Sequence, residues 1–279
     1  MRRLIKLLAV SVVVFGCGGM TPVAADPTVA LHKAIYQLKM DSVSSGSGIV
    51  GIDGKMYFET DDACDAWTTD QRFTTEYQYP ESRAVLNTNH YVSWESKDQK
   101  TFQFSSERQE DGEVVELLRG NAIRADDSSG KAEYTRPKAM TFSLPAGYFL
   151  PTAHTSEMIK KAKAGEKVFR AVMFDGTDAD GPVEMTAVIG KKVTADEIKK
   201  IVDRAAPGKI DPALLSTDAW HVRIALFPLK EDQEMTPAYE MDMTLHDNGI
   251  VSAAVVDYKE FRVSQTLEAL EKLPAKKCP

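Results

Sequence analysis

The sequence predicts an all-β protein: one large curled antiparallel sheet, with a short helix set into it and a second helix later in the chain. Three observations predict this. Apolar and polar residues alternate over most of the length, as where Tyr36, Leu38 and Met40 share one phase and Gln37, Lys39 and Asp41 the other. Period two with one apolar face marks a half-buried antiparallel strand. The links between alternating runs are short, which favours hairpins over crossovers. Only two stretches carry clear helix signals, one beginning near Thr155 and one at Thr194.

In chain order, Ser44-Ser45-Gly46-Ser47-Gly48 reads as a wide hairpin turn after the first strand, and Asp53-Gly54 as a tighter one, with Met56 and Phe58 facing inward on the returning strand. Asp61 to Asp65 is an acidic connection holding Cys64. Phe73, Thr75, Tyr77 and Tyr79 alternate with Thr74, Glu76 and Gln78; Leu86 to Trp94 and Phe102 to Phe104 continue the sheet. Glu110-Asp111-Gly112 turns the chain into Val114 to Leu118, and Asp126 to Gly130 is a polar loop.

The first helix lies between Pro145 and Gly165. Thr155 is the expected cap, Glu157 an acid in the first turn, Met158, Ile159 and Ala162 the apolar side, and Gly165 the stop. A lone helix inside a run of strands plugs or props a sheet face that needs covering. Val168 to Phe174 is strand-like and ends at Asp175-Gly176; Val183 to Ile189 follows a loop. Thr194 and Glu197 form a capping box for the second helix, with Val193 and Ile198 placed as a staple and Pro207-Gly208 as its end. Alternation resumes at Trp220 to Leu226 and Tyr239 to Leu245, and Asn248-Gly249 turns into Ile250 to Tyr258. Leu267, Leu270 and Leu273 suit a helix over Thr266 to Leu273. No repeat or clean boundary is present; one domain over residues 26–279 is expected, the alternative being two β domains that part between Ser129 and Pro137.

Several motifs follow one another in a particular order. They are Met56-Tyr57 before Cys64-x-x-Trp67; Phe142-x-Leu144-Pro145-x-Gly147; Phe149-x-Pro151-Thr152-x-His154; and Val172-x-Phe174-Asp175-Gly176. Pro237-x-Tyr239-Glu240, Asn248-Gly249-Ile250, Asp257-Tyr258 and a last Cys278 complete the series. Together they resemble the EipB family of periplasmic envelope-integrity proteins over nearly the whole chain after its leader. The resemblance implies a β-spiral, an open and strongly twisted antiparallel sheet wrapped around a helix, with a final strand over Thr266 to Leu273. It also implies a role in envelope stability and no catalytic activity. Thr194 to Asp218 is longer than the family pattern, so the second helix is expected in an insertion there.

The N-terminus reads as a leader. Arg2, Arg3 and Lys6 precede an apolar run from Leu7 to Gly16, and Val23-Ala24-Ala25 suits a signal peptidase. Residues 1–25 are therefore expected to be a signal peptide removed before Asp26, giving periplasmic export. The rival reading takes Val14-Phe15-Gly16-Cys17 as a lipobox with an acylated Cys17. The leader holds three bases and no acid, so the net charge of −7 becomes about −10 on its removal. That argues against nucleic acid or anionic headgroups as bulk partners. No later apolar run is long enough to span a membrane.

Catalytic motifs are missing. There is no G-x-S-x-G, H-E-x-x-H or C-x-x-C, and Gly51-x-x-Gly54-Lys55-Met56 has neither the spacing nor the hydroxyl of a phosphate loop. In Asp175 to Gly181 a calcium loop fails, since Gly176 and Ala187 fall where carboxylates are needed. Among His32, His90, His154, His221 and His246, only His154 lies near a break before the helix. It is read as structural, its ring bonded to backbone, rather than catalytic. Trp67, Trp94 and Trp220 are read as packing residues and not a sugar platform. No cofactor or metal site is expected.

With the leader gone, Cys64 and Cys278 are the only cysteines, and export to an oxidising compartment leads us to expect them paired; two free thiols are the alternative. Such a bond is expected to hold a free end of the spiral. The first functional reading is a non-enzymatic factor for envelope integrity that binds an unidentified envelope protein or lipid. The second is a carrier for a lipid or a lipoprotein acyl chain in the curled sheet. An unrecognised hydrolase ranks last.

Overall fold

The computed structural model describes residues 29–229 and 236–278. Residues 1–25, expected to be a leader, and with them Cys17, lie outside the described residues. The chain passes through β1 (His32–Val43), β2 (Gly51–Asp62), β3 (Ala66–Gln78), β4 (Val85–Ser96), β5 (Thr101–Glu110), β6 (Glu113–Arg124), β7 (Gly130–Arg136) and β8 (Met140–Leu144). Helix α1 (Pro151–Lys163) follows, then β9 (Val168–Met173), β10 (Val183–Lys192), α2 (Ala195–Arg204) and a short 3-10 turn at Pro212–Leu215. Strands β11 (Ala219–Pro228), β12 (Tyr239–His246), β13 (Val251–Asp257) and β14 (Phe261–Lys272) complete the chain, so Thr266 to Lys272 is strand and not helix.

All strands belong to one 14-stranded sheet in the order β8-β7-β6-β5-β4-β3-β2-β1-β14-β13-β12-β11-β10-β9. The stretch offered as a domain break is strand β7, paired on both sides. Every pair is antiparallel, and β1 pairs with β14 over most of its length. This pairing overturns the expectation of a free chain end. The first and last strands meet in the middle of the sheet, and its free edges are β8 and β9, at mid-chain. Both are blunted. Strand β8 is only five residues long, and Phe149 lies on β9, its N–H donating to Val172 O at 2.8 Å while Phe174 N donates to Phe149 O at 3.0 Å. Short, covered edges resist pairing with other chains. Bulges in the β1–β14, β5–β6, β6–β7, β10–β11 and β12–β13 pairs sharpen the twist that curls the sheet.

Asp53-Gly54 is not a turn. It lies inside β2, whose real turn is the Ser44–Val50 loop. Gly54 is there because β3 comes close: a Cβ would press on Thr74 O and Thr75 Cα.

Helix α1 also begins earlier than its local signals say. Pro151, not Thr155, opens the helix, and the capping position is Leu150, whose side chain caps nothing. Thr155 is within the first turns, with its hydroxyl donating to Pro151 O at 3.0 Å. The acceptor for the helix start is Glu95 on β4, taking Thr152 N at 2.8 Å and Ala153 N at 3.1 Å. Its carboxylate is buried, so desolvation raises its pKa while the two N–H bonds pull it back. Glu95→Ala leaves two buried donors without an acceptor and removes the acid at the positive end of the helix. We expect a loss of about 2 kcal/mol in urea unfolding; a change below roughly 0.5 kcal/mol would mean water replaces the carboxylate.

Met158, Ile159 and Ala162 of α1 pack with Phe169, Trp220 and Leu245 against β9–β12. A second core on β4–β8 centres on Phe102, Phe104, Tyr134 and Phe174, where the Phe104 ring lies 4.9 Å from Tyr134 and 5.6 Å from Phe174. The third joins Tyr36, Leu38 and Leu267 to Ile201 of α2 and Leu214 and Leu215 beyond it. Thr194 caps α2 with both bonds of the capping box in place. Helix α1 props β9–β12 and leaves part of the concave face of β1–β5 uncovered.

Candidate functional site

That uncovered concave face encloses a lumen. Period two sends Gln71, Phe73 and Thr75 inward from β3, Asn89 and Tyr91 from β4, and Ser106 from β5. Opposite them stand Tyr36 of β1, Met56 and Phe58 of β2, and Tyr239 and Met241 of β12. The main cavity has a volume of about 430 Å³. It opens through Phe73, Asn89 and Tyr258 into a rim chamber bounded by Tyr79, Asn87 and Arg108. In the other direction it continues past Tyr91 and Asp175 towards Pro151 and Thr152 at the start of α1.

The two walls differ. The β3–β5 wall offers amides and hydroxyls, with Asn89 Nδ2 donating to Ser106 Oγ at 3.4 Å. The facing wall is thioether and aromatic. Burial raises the pKa of Tyr258 to about 12 and moves that of Tyr91 well above the usual phenol value, so these groups are hydroxyl donors at neutral pH. Few lining groups carry charge. Arg108 at the rim is held by Glu110 at 3.2 Å and Glu116 at 3.6 Å. His32 has Nδ1 2.8 Å from Ala30 O, and burial lowers its pKa.

The loop from Asp175 to Gly181 enters this lumen, and its carboxylates serve their own loop. Asp175 Oδ1 accepts Thr177 N at 3.0 Å and Thr177 Oγ1 at 2.8 Å, and Asp178 Oδ1 accepts Asp180 N at 2.6 Å. Among the described residues no cluster of three His, Cys, Asp or Glu is placed to hold a metal ion.

The other residues singled out in the sequence are scattered. Cys64, in the β2–β3 turn, is disulfide-bonded to Cys278, with Cα atoms 5.5 Å apart. His154 is buried, but its ring is not held by backbone at Nε2 as expected: that nitrogen has no hydrogen-bond partner. The ring lies against Phe169 at 5.1 Å and Phe149 at 6.1 Å, and burial lowers its pKa to about 4. His90 pairs with Asp70 and His221 with Glu197 at the surface, and His246 Nε2 is 2.9 Å from Ser252 Oγ. Trp220 is core; Trp67 sits under Lys97, and Trp94 on β4 does not line the lumen. Gly51 to Met56 is part of β2 and forms no loop. The polar wall was missed, since Asn87, Asn89 and Ser106 declare themselves only through their inward phase.

No described helix is long and apolar enough to cross a membrane. The outward phase of the strands carries Lys33, Lys55, Arg72, Arg170 and Arg223 in ion pairs, so those strands show no apolar outer band of the kind a membrane barrel needs.

A family model described as EipB-like matches residues 23–274. The cell envelope integrity protein EipB of Brucella abortus (strain 2308) is 32% identical over 259 residues, which cover 92% of this chain and 89% of that protein. The crystal structure of a beta-barrel-like protein of a domain of unknown function from Brucella abortus matches with a TM-score of 0.77 at 31% identity. That match covers 88% of this chain and 99% of the other.

Proposed function

The chain belongs to the EipB-like family, and from that premise we propose that it is a non-enzymatic periplasmic factor for cell-envelope integrity that holds an envelope component in its lumen. The observation that carries this reading is the cavity of about 430 Å³ left open in the concave face of the sheet, a size typical of small-ligand sites. A helix that filled the concave face would have argued for a purely structural sheet. The relative's name, cell envelope integrity protein, supports the setting, and the disulfide suits an exported chain.

The lining favours an amphipathic ligand over a bare acyl chain. Packing only hydrocarbon against Gln71, Asn89 and Ser106 would leave buried amides and hydroxyls unpaired, which is costly. Met241→Trp places a large ring in the cavity without adding charge. Mass spectrometry of organic extract is expected to find about one amphipath per wild-type chain, by the one-cavity logic, and far less in Met241→Trp. The variant should retain the β circular-dichroism signal but fail to restore detergent resistance to cells lacking the protein. A variant that extracts and complements like wild type would remove the lumen from the function.

A further inference from the structure

We propose that the lumen recognises an ammonium group on its amphipathic ligand, with the Asp175 carboxylate as counter-ion among aromatic rings; this deepens the lumen reading above and rests on it. Asp175 lines both the main cavity and its extension towards α1. Its position is built from distant parts of the sheet. Phe174, the residue before it, is wholly buried, and Tyr91 Oη on β4 donates to Asp175 O at 2.8 Å. Gly176 has φ +67° and packs so close to the Phe104 ring that any side chain would collide with it. Tyr134 Oη on β7 donates to Asp178 O at 2.7 Å, fixing the far side of the loop. A surface loop has no need of anchors from β4, β5 and β7.

The carboxylate so presented lacks a cation. Oδ1 takes both bonds from Thr177, and Asp175 forms no ion pair among the described residues. Arg108 is at the rim, already held by two glutamates, and His32 is kept neutral by burial. Asp175 is half-buried, and a carboxylate partly withdrawn from water without a counter-charge costs free energy that a bound cation offsets. Burial raises the Asp175 pKa, and the Tyr239 ring lines the same cavity. Tyr91 and Phe58 bound the space around the carboxylate, and aromatic faces attract ammonium groups. An anionic headgroup at this depth would meet Asp175 and no free base.

Octylammonium and 1-octanol share chain length and nearly share shape, so they separate charge from burial. Calorimetric titration of the exported, purified protein is expected to give about tenfold tighter binding of octylammonium at neutral pH and low salt. Asp175→Asn keeps the acceptor for Thr177. It should bring octylammonium down to the affinity of octanol and leave octanol unchanged. Thr177→Val keeps the carboxylate and should keep the preference, which guards against a general loosening of the loop. Equal affinities in the wild type, or a preference that survives Asp175→Asn, would overturn the ammonium site while octanol binding blocked by Met241→Trp still upheld the lumen. If neither compound bound, the lumen reading itself would fall.

Discussion

Replacing both Cys64 and Cys278 with serine is expected to lower stability by about 3–5 kcal/mol, the largest effect of any small change here. The bond closes a loop of 214 residues in sequence separation, and in the chain-entropy model a closure of that length is worth about 5 kcal/mol. Its geometry in the fold moderates that figure. It does not clamp a free sheet edge. It ties the tail after β14 across β1 to the β2–β3 turn, where Lys276 also pairs with Asp61 at 2.5 Å. Because β1 and β14 are hydrogen-bonded anyway, the reduced chain should keep its sheet and lose stability mainly through a freer unfolded state. Urea unfolding of the double variant, read by circular dichroism, measures this. A loss under about 1 kcal/mol would mean the unfolded chain is held compact without the bond. Thiol counting in denaturant without reductant comes first: two free thiols per chain would remove the premise.

What was legible in the sequence was what neighbouring residues decide. Alternation along Tyr36, Leu38 and Met40 gave a strand, and Thr194 with Glu197 gave the start of α2 to the residue, because both signals sit within a few positions of the structure they specify. The failures have the opposite character. Helix α1 is capped by Glu95, 57 positions away, so a local reading settled on Thr155. Asp53-Gly54 has turn chemistry, but the glycine answers to the closeness of β3, which no local pattern records. The β1–β14 pairing joins residues at the two ends of the described chain, and without it the free edges were assigned to the chain's end instead of to β8 and β9.

The lumen was half legible for the same reason. Phe73, Thr75 and Tyr77 share a phase in the sequence, as do Asn87, Asn89 and Tyr91, and that phase is the concave one. A polar residue on an inward phase looks like noise until the register shows that Thr75 faces Asn87, Gln71 faces Tyr91 and Tyr91 faces Ser106, a mostly polar wall interrupted by Phe73. Asp175 carried a motif but no visible purpose. Its role depends on Tyr91 and Phe104, which reach it from strands far back in the chain.

Acid is expected to unfold this protein well before its surface carboxylates are titrated, with two histidines as the cause. Burial lowers the pKa of His154 and of His246 from 6.5 to about 4. A base whose pKa is depressed on folding takes its proton first in the unfolded chain. Its stabilising contribution is present above pH 6.5 and is lost as pH falls from there towards 4. At about 1.4 kcal/mol per unit, each histidine should cost about 2 kcal/mol by roughly pH 5. Glu95 and Asp175 act in the opposite sense. Their pKa values are raised on folding, so the native chain binds those protons first and gains stability as pH falls through them. They offset part of the loss at the acid end of the window. His154→Phe separates the terms. The imidazole Nε2 has no partner to lose and the ring already lies between Phe149 and Phe169, so stability near pH 7 should change little. Between about pH 7 and 5 the variant should then lose about 2 kcal/mol less than wild type in urea unfolding. Identical slopes would show that His154 is protonated in the native protein, through water reaching Nε2 or a local opening of α1.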